Sequence, residues 1–203
     1  TLTLGTVSVS GSGFTITGAG TVTGGSLVNV STVAAQAQTV VLSSVTIDGV
    51  ATTNIDYSLS DAGATLKDVT LSNDLATNDN ALTLQGTING GGNKIAGNNA
   101  FLDDAQLSNV VLDDASLVLT LDGDSSLAGT IAADVTLNVT GQTLTLGTVS
   151  VSGSGFTITG AGTVTGGSLV NVSTVATAVQ HIELSSVTID GVATTNIDYS
   201  LSD

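Results

Sequence analysis

The acidic side chains are the residues of this 203-residue sequence whose type and spacing point most directly to chemistry. Aspartate supplies 16 of the 17 acids, and six aspartates form three bunches about ten residues apart. The bunches are Asp103 with Asp104, Asp113 with Asp114, and Asp122 with Asp124. Because Ca²⁺ prefers carboxylate oxygens, stacked chain segments that bring the bunches to one face would form a calcium site. The competing interpretation is that these are solvated turn residues, which keep the surface charged and strand edges apart.

The same carboxylates could instead form the acid pair of a β-helical polysaccharide-active enzyme. Such an enzyme needs aromatic side chains that stack on sugars, and the chain has two tyrosines, three phenylalanines and no tryptophan. Polyuronate lyases also need cationic residues near the substrate, and the sequence contains no arginine. His181 is the one histidine, and without cysteine or a second histidine it supports neither a zinc centre nor a catalytic triad. We therefore expect His181 in an exposed, variable turn, and a protein that is not an enzyme.

Three Thr-x-Thr tripeptides suggest a different kind of surface. They begin at Thr1, Thr15 and Thr21, and they resemble the threonine ladders of ice-binding β-helices. Their spacing along the chain is irregular, however, and threonine is favoured on any half-exposed strand. The strand preference of threonine is sufficient to explain the tripeptides.

Charge and hydropathy exclude two classes of partner. The net charge is −15 with two lysines, so the chain lacks the cationic clusters that neutralise nucleic-acid phosphates. No window reaches the roughly 18 consecutive apolar residues of a membrane-spanning helix. The sequence does not begin with the basic and then apolar pattern of a secretory signal, and residue 1 lies inside a repeat. We expect an internal segment of a longer polypeptide that has no membrane span and does not bind nucleic acid.

A long internal repeat determines the predicted organisation. Residues 1–61 return at 143–203 with an offset of 142, and the two copies differ at six positions, which leaves 61 − 6 = 55 identical. Repetition on this scale is typical of modular and solenoid proteins. The sequence predicts one full unit at 1–142 and the first part of the next at 143–203, joined as one continuous solenoid. The edges at both ends would be covered by neighbouring repeats, or would pair between chains into a filament.

The elements that position the acidic bunches are predicted to be short β-strands. Short stretches rich in Val, Thr, Ile and Leu alternate with Gly, Asn, Asp and Ser, which favours strands separated by turns. Several segments share a pattern of an apolar residue, a short polar gap and a further apolar pair, and their lead leucines are Leu27, Leu42, Leu66, Leu107 and Leu127. Apart from the first, the intervals between these lead leucines lie near one or two multiples of about 20 residues, which favours an all-β parallel β-helix with coils of that length and an aliphatic core. Tandem immunoglobulin-like β-sandwich modules remain the alternative.

The sequence resembles the repeat regions of very large bacterial surface proteins and adhesins. The resemblance covers the whole chain and rests on the near-identical long repeats, the composition, and the segments SGSGFTITGAGTVTGGSL and LQGTINGGGNKIAGN. It implies a structural segment of an extracellular protein at the cell surface, forming a stalk, fibre or filament for adhesion or scaffolding. Its partners would be neighbouring repeats, further copies of itself, or cell-surface and matrix glycans. A calcium-dependent adhesion module is the main functional alternative.

Overall fold

The computed structural model describes residues 1–8, 14–16, 20–30, 33–35, 40–43, 46–49, 57–58, 64–71, 74–76, 82–152, 156–170, 174–177, 182–190 and 198–200. Within these ranges all regular structure is β-strand. The strands are β1 (Leu2–Thr3), β2 (Thr6–Ser8), β3 (Phe14–Ile16), β4 (Gly20–Thr23), β5 (Ser26–Val30), β6 (Val33–Ala35), β7 (Val40–Ser43), β8 (Thr46–Gly49), β9 (Tyr57–Ser58), β10 (Ala64–Thr70), β11 (Leu75–Ala76), β12 (Leu82–Asn89), β13 (Lys94–Ala96), β14 (Asn99–Leu112), β15 (Val118–Leu121), β16 (Ser125–Ile131), β17 (Val135–Asn138), β18 (Thr143–Val151), β19 (Phe156–Thr159), β20 (Gly162–Thr165), β21 (Ser168–Val170), β22 (Thr174–Thr177), β23 (Ile182–Ser185), β24 (Thr188–Asp190) and β25 (Asp198–Ser200).

The strands wind as a parallel β-solenoid. Every assigned pairing is parallel, and 23 strands belong to one continuous sheet, with β3 and β6 in a second. Coils are about 19 residues apart, and about six turns fill the section from residue 64 to residue 170. This confirms the predicted all-β parallel solenoid and its coil length. The immunoglobulin-like sandwich is wrong for this chain, because such sandwiches are built from antiparallel strands.

Three ladders of hydrogen-bonded strands form the sides of the solenoid. The first ladder contains β2, β5, β8, β10, β12, β14, β15, β17, β19, β22 and β25. The second contains β1, β4, β7, β9, β11, β13, the C-terminal parts of β14, β16 and β18, and then β21 and β24. The third contains the end of β10, the end of β12, the middle of β14, the start of β16 and of β18, then β20 and β23.

The core lies between the ladders and is almost entirely aliphatic. Burial alternates along the strands, as in β17 and β19, because successive side chains of a strand point to opposite faces. Equivalent positions of successive coils then stack, for example Leu66, Leu84 and Leu102 in the first ladder. Leu107 and Leu127 stack in the same way in the third ladder. Each such leucine contributes roughly 1.5–3 kcal/mol through burial. Because the sequence contains few aromatic residues, these stacked aliphatic side chains supply most of the stability of the core.

Bulges turn the chain from one ladder to the next without ending the strand. Register shifts fall between Lys67 and Val69 in β10 and between Leu107 and Val110 in β14. The residues at the bends include Asp68, Asp104 and Asn109, which have left-handed φ values of 52°, 51° and 53°. Asp and Asn tolerate this conformation better than other residues with side chains. The turn-forming residues of the sequence therefore mark corners of a coil.

The lead leucines of the sequence do not form one column. Leu27 and Leu66 both pair with Ile47 in the first ladder, whereas Leu42 pairs with Val22 in the second. The intervals on either side of Leu42 are irregular for this reason, since each compares positions on different sides of the coil. The lead leucines therefore lie on different sides of the coil, and the coil length inferred from their intervals is confirmed.

Identical sequences of the two copies lie on different ladders. Leu2 pairs with Val22 in the second ladder, whereas its counterpart Leu144 pairs with Val164 in the third. The boundary between residues 142 and 143 lies between two paired strands, since β16 and β18 run side by side in parallel.

Candidate functional site

The three acidic bunches lie at two separate places on the solenoid. Ten residues is about half of a 19-residue coil, so consecutive bunches fall on different sides. The bunch at Asp103 and Asp104 lies at the bend between the first and third ladders, and the bunch at Asp122 and Asp124 reaches the same bend one coil later. Asp113 and Asp114 follow the second ladder instead. The expected single acidic face is therefore divided.

We call the bend that contains Asp68, Asp103, Asp104 and Asp124 the acidic corner. Its carboxylates bond to the next or the preceding coil. Asp68 Oδ1 accepts a hydrogen bond from the backbone N–H of Thr87 at 2.8 Å, and Asp124 Oδ1 accepts one from the backbone N–H of Thr143 at 2.7 Å. Asp103 Oδ2 accepts a 2.7 Å hydrogen bond from Gln85 Nε2 of the preceding coil.

These carboxylates replace backbone hydrogen bonds that the bends interrupt. A bulge leaves one residue of the ladder without its regular partner, and a backbone N–H without a partner is costly to desolvate. Thr87 lies in the β12 bulge opposite Asp68, and Thr143 is the first residue of β18. Each of these N–H groups donates to a carboxylate one coil away. The acidic corner therefore caps successive coils.

Glycine in the next coil leaves room for the carboxylates of Asp68 and Asp104. A methyl group on Gly86 would overlap the carboxylate of Asp68, and Gly86 also has a left-handed φ of 64°. A methyl group on Gly123 would lie 2.7 Å from Asp104 Oδ1, well inside van der Waals contact. The pairing of an acid on one coil with glycine on the next is thus steric in origin.

One polar side chain at this corner is buried. Ser125 is 5% exposed, and its hydroxyl donates a hydrogen bond to the carbonyl oxygen of Gly123 at 3.0 Å. The hydroxyl oxygen of Ser125 also accepts a 3.0 Å hydrogen bond from the backbone N–H of Ala105. Both hydrogen-bonding functions are used within the protein, as burial requires, so Ser125 has a structural role.

The second acidic place is organised around Lys94. Its Nζ forms an ion pair with Asp113 Oδ2 at 2.5 Å, and its backbone N–H donates to Asp74 Oδ1 at 2.8 Å. The hydrogen bond with Asp113, and then the charge of that carboxylate, raise the pKa of Lys94. The Lys94 side chain is about half exposed, so the ion pair orients side chains more than it stabilises the fold.

Asp114 closes the adjoining turn. Its Oδ1 accepts hydrogen bonds from the hydroxyl and the backbone N–H of Ser116, at 2.6 and 2.9 Å, and Oδ2 accepts one from the N–H of Gly97 at 3.0 Å. The hydrogen bonds from Ser116 are the main reason that the pKa of Asp114 lies below its ordinary value. Donors aimed at a carboxylate stabilise its charged form.

A groove beside the acidic corner is the feature of the described residues that most resembles a binding site with carboxylates in its lining. It has a volume of about 390 Å³, and Asp104, Asp124 and the hydroxyl groups of Ser126, Thr143 and Thr145 line it. Among the described residues, which include all six candidate aspartates, no three acidic or histidine side chains are arranged to hold a metal ion.

The other candidate surfaces are placed as follows. In the second copy, the Thr-x-Thr tripeptides at 143–145 and 163–165 lie in paired strands, with threonine beside threonine. They pair because the two uneven intervals between successive tripeptides add up to about one coil. The next coil places Glu183 and Ser185 beside Thr163 and Thr165, so this threonine ladder has two rungs. Phe156 is 4% exposed and belongs to the core, so it offers no face to a sugar. His181 lies outside the described residues.

Sequence reasoning missed Asp68, Asp74 and Lys94 as members of these two places. The available signal was the interval to a partner one coil later, since Asp68 precedes Gly86, and Asp74 precedes Lys94, by about the length of one coil. Such intervals have meaning only when the coil length is known.

Comparison with protein-family models, with curated proteins and with solved structures gives no match to this chain. The resemblance to bacterial surface proteins and adhesins therefore stays a prediction from sequence. None of the described residues belongs to a helix long and apolar enough to cross a membrane.

Proposed function

We propose that this chain is a structural segment of an extracellular repeat protein, which forms a stalk, fibre or surface filament for adhesion or cell-surface scaffolding. The observation that carries the proposal is the parallel pairing of β16 with β18, which continues the solenoid from the first copy of the repeat into the second. A unit that continues into the next through its ladder transmits force through hydrogen bonds and core packing. The mechanism is mechanical, and we propose no catalytic role.

The composition of the surface supports this function. The chain carries 17 acids and two basic residues, so separate rods repel one another at low ionic strength and remain dispersed. The described carboxylates also hold successive coils together through the caps of the acidic corner. We propose the same surface as the contact for cell-surface or matrix glycans, through the hydroxyl-lined groove.

The test is the length of the particle as units are added. Chains with one, two and three copies of the full repeat unit are imaged by electron microscopy. With coils of about 19 residues and about 4.8 Å between strands, each unit adds about 36 Å of rigid rod. Beads joined by flexible segments, with lengths that vary from particle to particle, would overturn the proposal.

Calcium-dependent adhesion is a second proposal, because Asp104 and Asp124 of adjacent coils line one groove. Binding of Ca²⁺ there would raise the melting temperature, and EDTA would reverse the rise. The variants Asp104→Asn and Asp124→Asn should remove the rise in melting temperature. Asp113→Asn, which changes the ion-pair partner of Lys94, should keep it. A melting temperature that is unchanged by calcium would contradict this proposal.

A further inference from the structure

The N-terminal coil exposes apolar side chains that are buried in the second copy. Leu2 and Val7 are 57% and 40% exposed, whereas their counterparts Leu144 and Val149 are 1% and 0% exposed. The neighbouring sequence is the same in both copies from residue 1 to residue 34. The difference therefore comes from packing: β1 and β2 pair with described strands on one side, and β18 pairs on both.

The coil that covers β18 fits it closely. Strand β16 lies against it in parallel register, with Ser125 opposite Leu144 and Gly129 opposite Val149. Small residues thus face large ones at both positions. Just before β16, Asp124 supplies the carboxylate that accepts a hydrogen bond from the backbone N–H of Thr143.

The register of this contact is determined by the residues themselves. Slipping one strand by a single residue would turn its apolar side chains to the wrong face. The register also fits Gly147, because a methyl group on Gly147 would lie 2.8 Å from Ala128 Cβ of the covering strand. The covering segment is therefore specific for the sequence of β18, which residues 1–9 repeat without change.

We propose that the edge formed by Leu2, Leu4 and Val7 is a docking site for a coil with the sequence of residues 122–139, supplied by a further repeat unit. This rests on the proposed scaffold function and names its partner. A second copy of this chain does not fit the role, because its own residues 125–138 are already covered by β18 and β19. The occupant is a unit joined in tandem, in the register seen between β16 and β18.

The experiment compares the 203-residue chain with the same chain carrying the sequence of residues 62–142 joined before Thr1. Hydrogen exchange of the amides of residues 2–8 is measured in both. Burial of two large aliphatic side chains predicts exchange slowed by about tenfold or more in the extended chain. The shift in urea midpoint caused by Leu2→Ala should also grow until it equals the shift caused by Leu144→Ala.

Unchanged exchange in the extended chain would overturn the proposal, even if electron microscopy shows a rod. If the added segment does not itself show protected amides, a complete repeat unit is added instead and must give the same protection. Exchange that slows with concentration in the unextended chain would also overturn it, because a second copy would then be the occupant. Protection of residues 2–8 without rigid growth per unit would leave the docking site standing and refute the scaffold.

Discussion

Replacing Gly86 with alanine tests whether the acidic corner is structural. An alanine at φ 64° costs about 1–2 kcal/mol in the left-handed conformation. Its methyl group would also displace the carboxylate of Asp68, which then loses its hydrogen bond from the N–H of Thr87. That loss costs about 1 kcal/mol, so we expect Gly86→Ala to lower the free energy of unfolding by about 2–3 kcal/mol.

Gly92 supplies the matched control. Its φ is 83°, and a methyl group there would meet no atom within 4 Å. Gly92→Ala therefore costs the backbone strain alone, about 1–2 kcal/mol. In an Asp68→Ala background, the cost of Gly86→Ala should fall to the same value, which gives a coupling energy of about 1 kcal/mol between the two sites.

Urea unfolding followed by circular dichroism measures these differences. With a slope of about 2 kcal/mol per molar urea, a change of about 1 kcal/mol moves the midpoint by about 0.5 M. Equal costs for Gly86→Ala and Gly92→Ala, with no dependence on Asp68, would refute the role that we assign to the acidic corner.

Three further predictions follow from packing and charge. Leu144→Ala should cost about 2–5 kcal/mol and Leu2→Ala less than about 1 kcal/mol, because the first leucine is 1% and the second 57% exposed; equal urea midpoints would contradict this. Asp114→Asn should lower the melting temperature at neutral pH, because the charged form of Asp114 is the one stabilised. The difference in melting temperature between the two proteins should close as the pH falls below 3.8 through the lowered pKa of Asp114. A difference that persists in acid would count against this. Raising sodium chloride from about 0.01 to about 0.1 M should raise the melting temperature by a few degrees as acid–acid repulsion is screened, and a fall would show that attractive ion pairs dominate.

Fold class and coil length could be predicted from the sequence because they depend on local patterns. Alternation of apolar and polar residues, glycine at the turns and an aliphatic composition all favour short stacked strands. The ladder to which each strand belongs could not be predicted. Bends such as that at Asp68 continue a strand through a bulge, and the number of residues between two sides therefore varies from coil to coil.

The role of the aspartates depended on information that spacing alone does not contain. Acidic bunches about ten residues apart looked like neighbours on one face, but half a coil separates them. The hydrogen bond from the N–H of Thr143 to Asp124 depends on which residue lies across the next coil, and that residue is known only when the register is known. The threonine tripeptides show the same effect. The two intervals between successive tripeptides look irregular, but together they equal about one coil, which places the first tripeptide beside the third.

The placement of Leu2 on the second ladder and Leu144 on the third has a consequence for an array of such units. After 142 residues the same sequence lies one ladder away, so further units joined in this way would each be turned by about a third of a revolution. Any surface feature, such as the ion pair of Lys94 with Asp113 or the groove beside the acidic corner, would then appear on all three sides within three units. Such an array would present equivalent surfaces on every side, so that a neighbouring molecule could contact it from any direction.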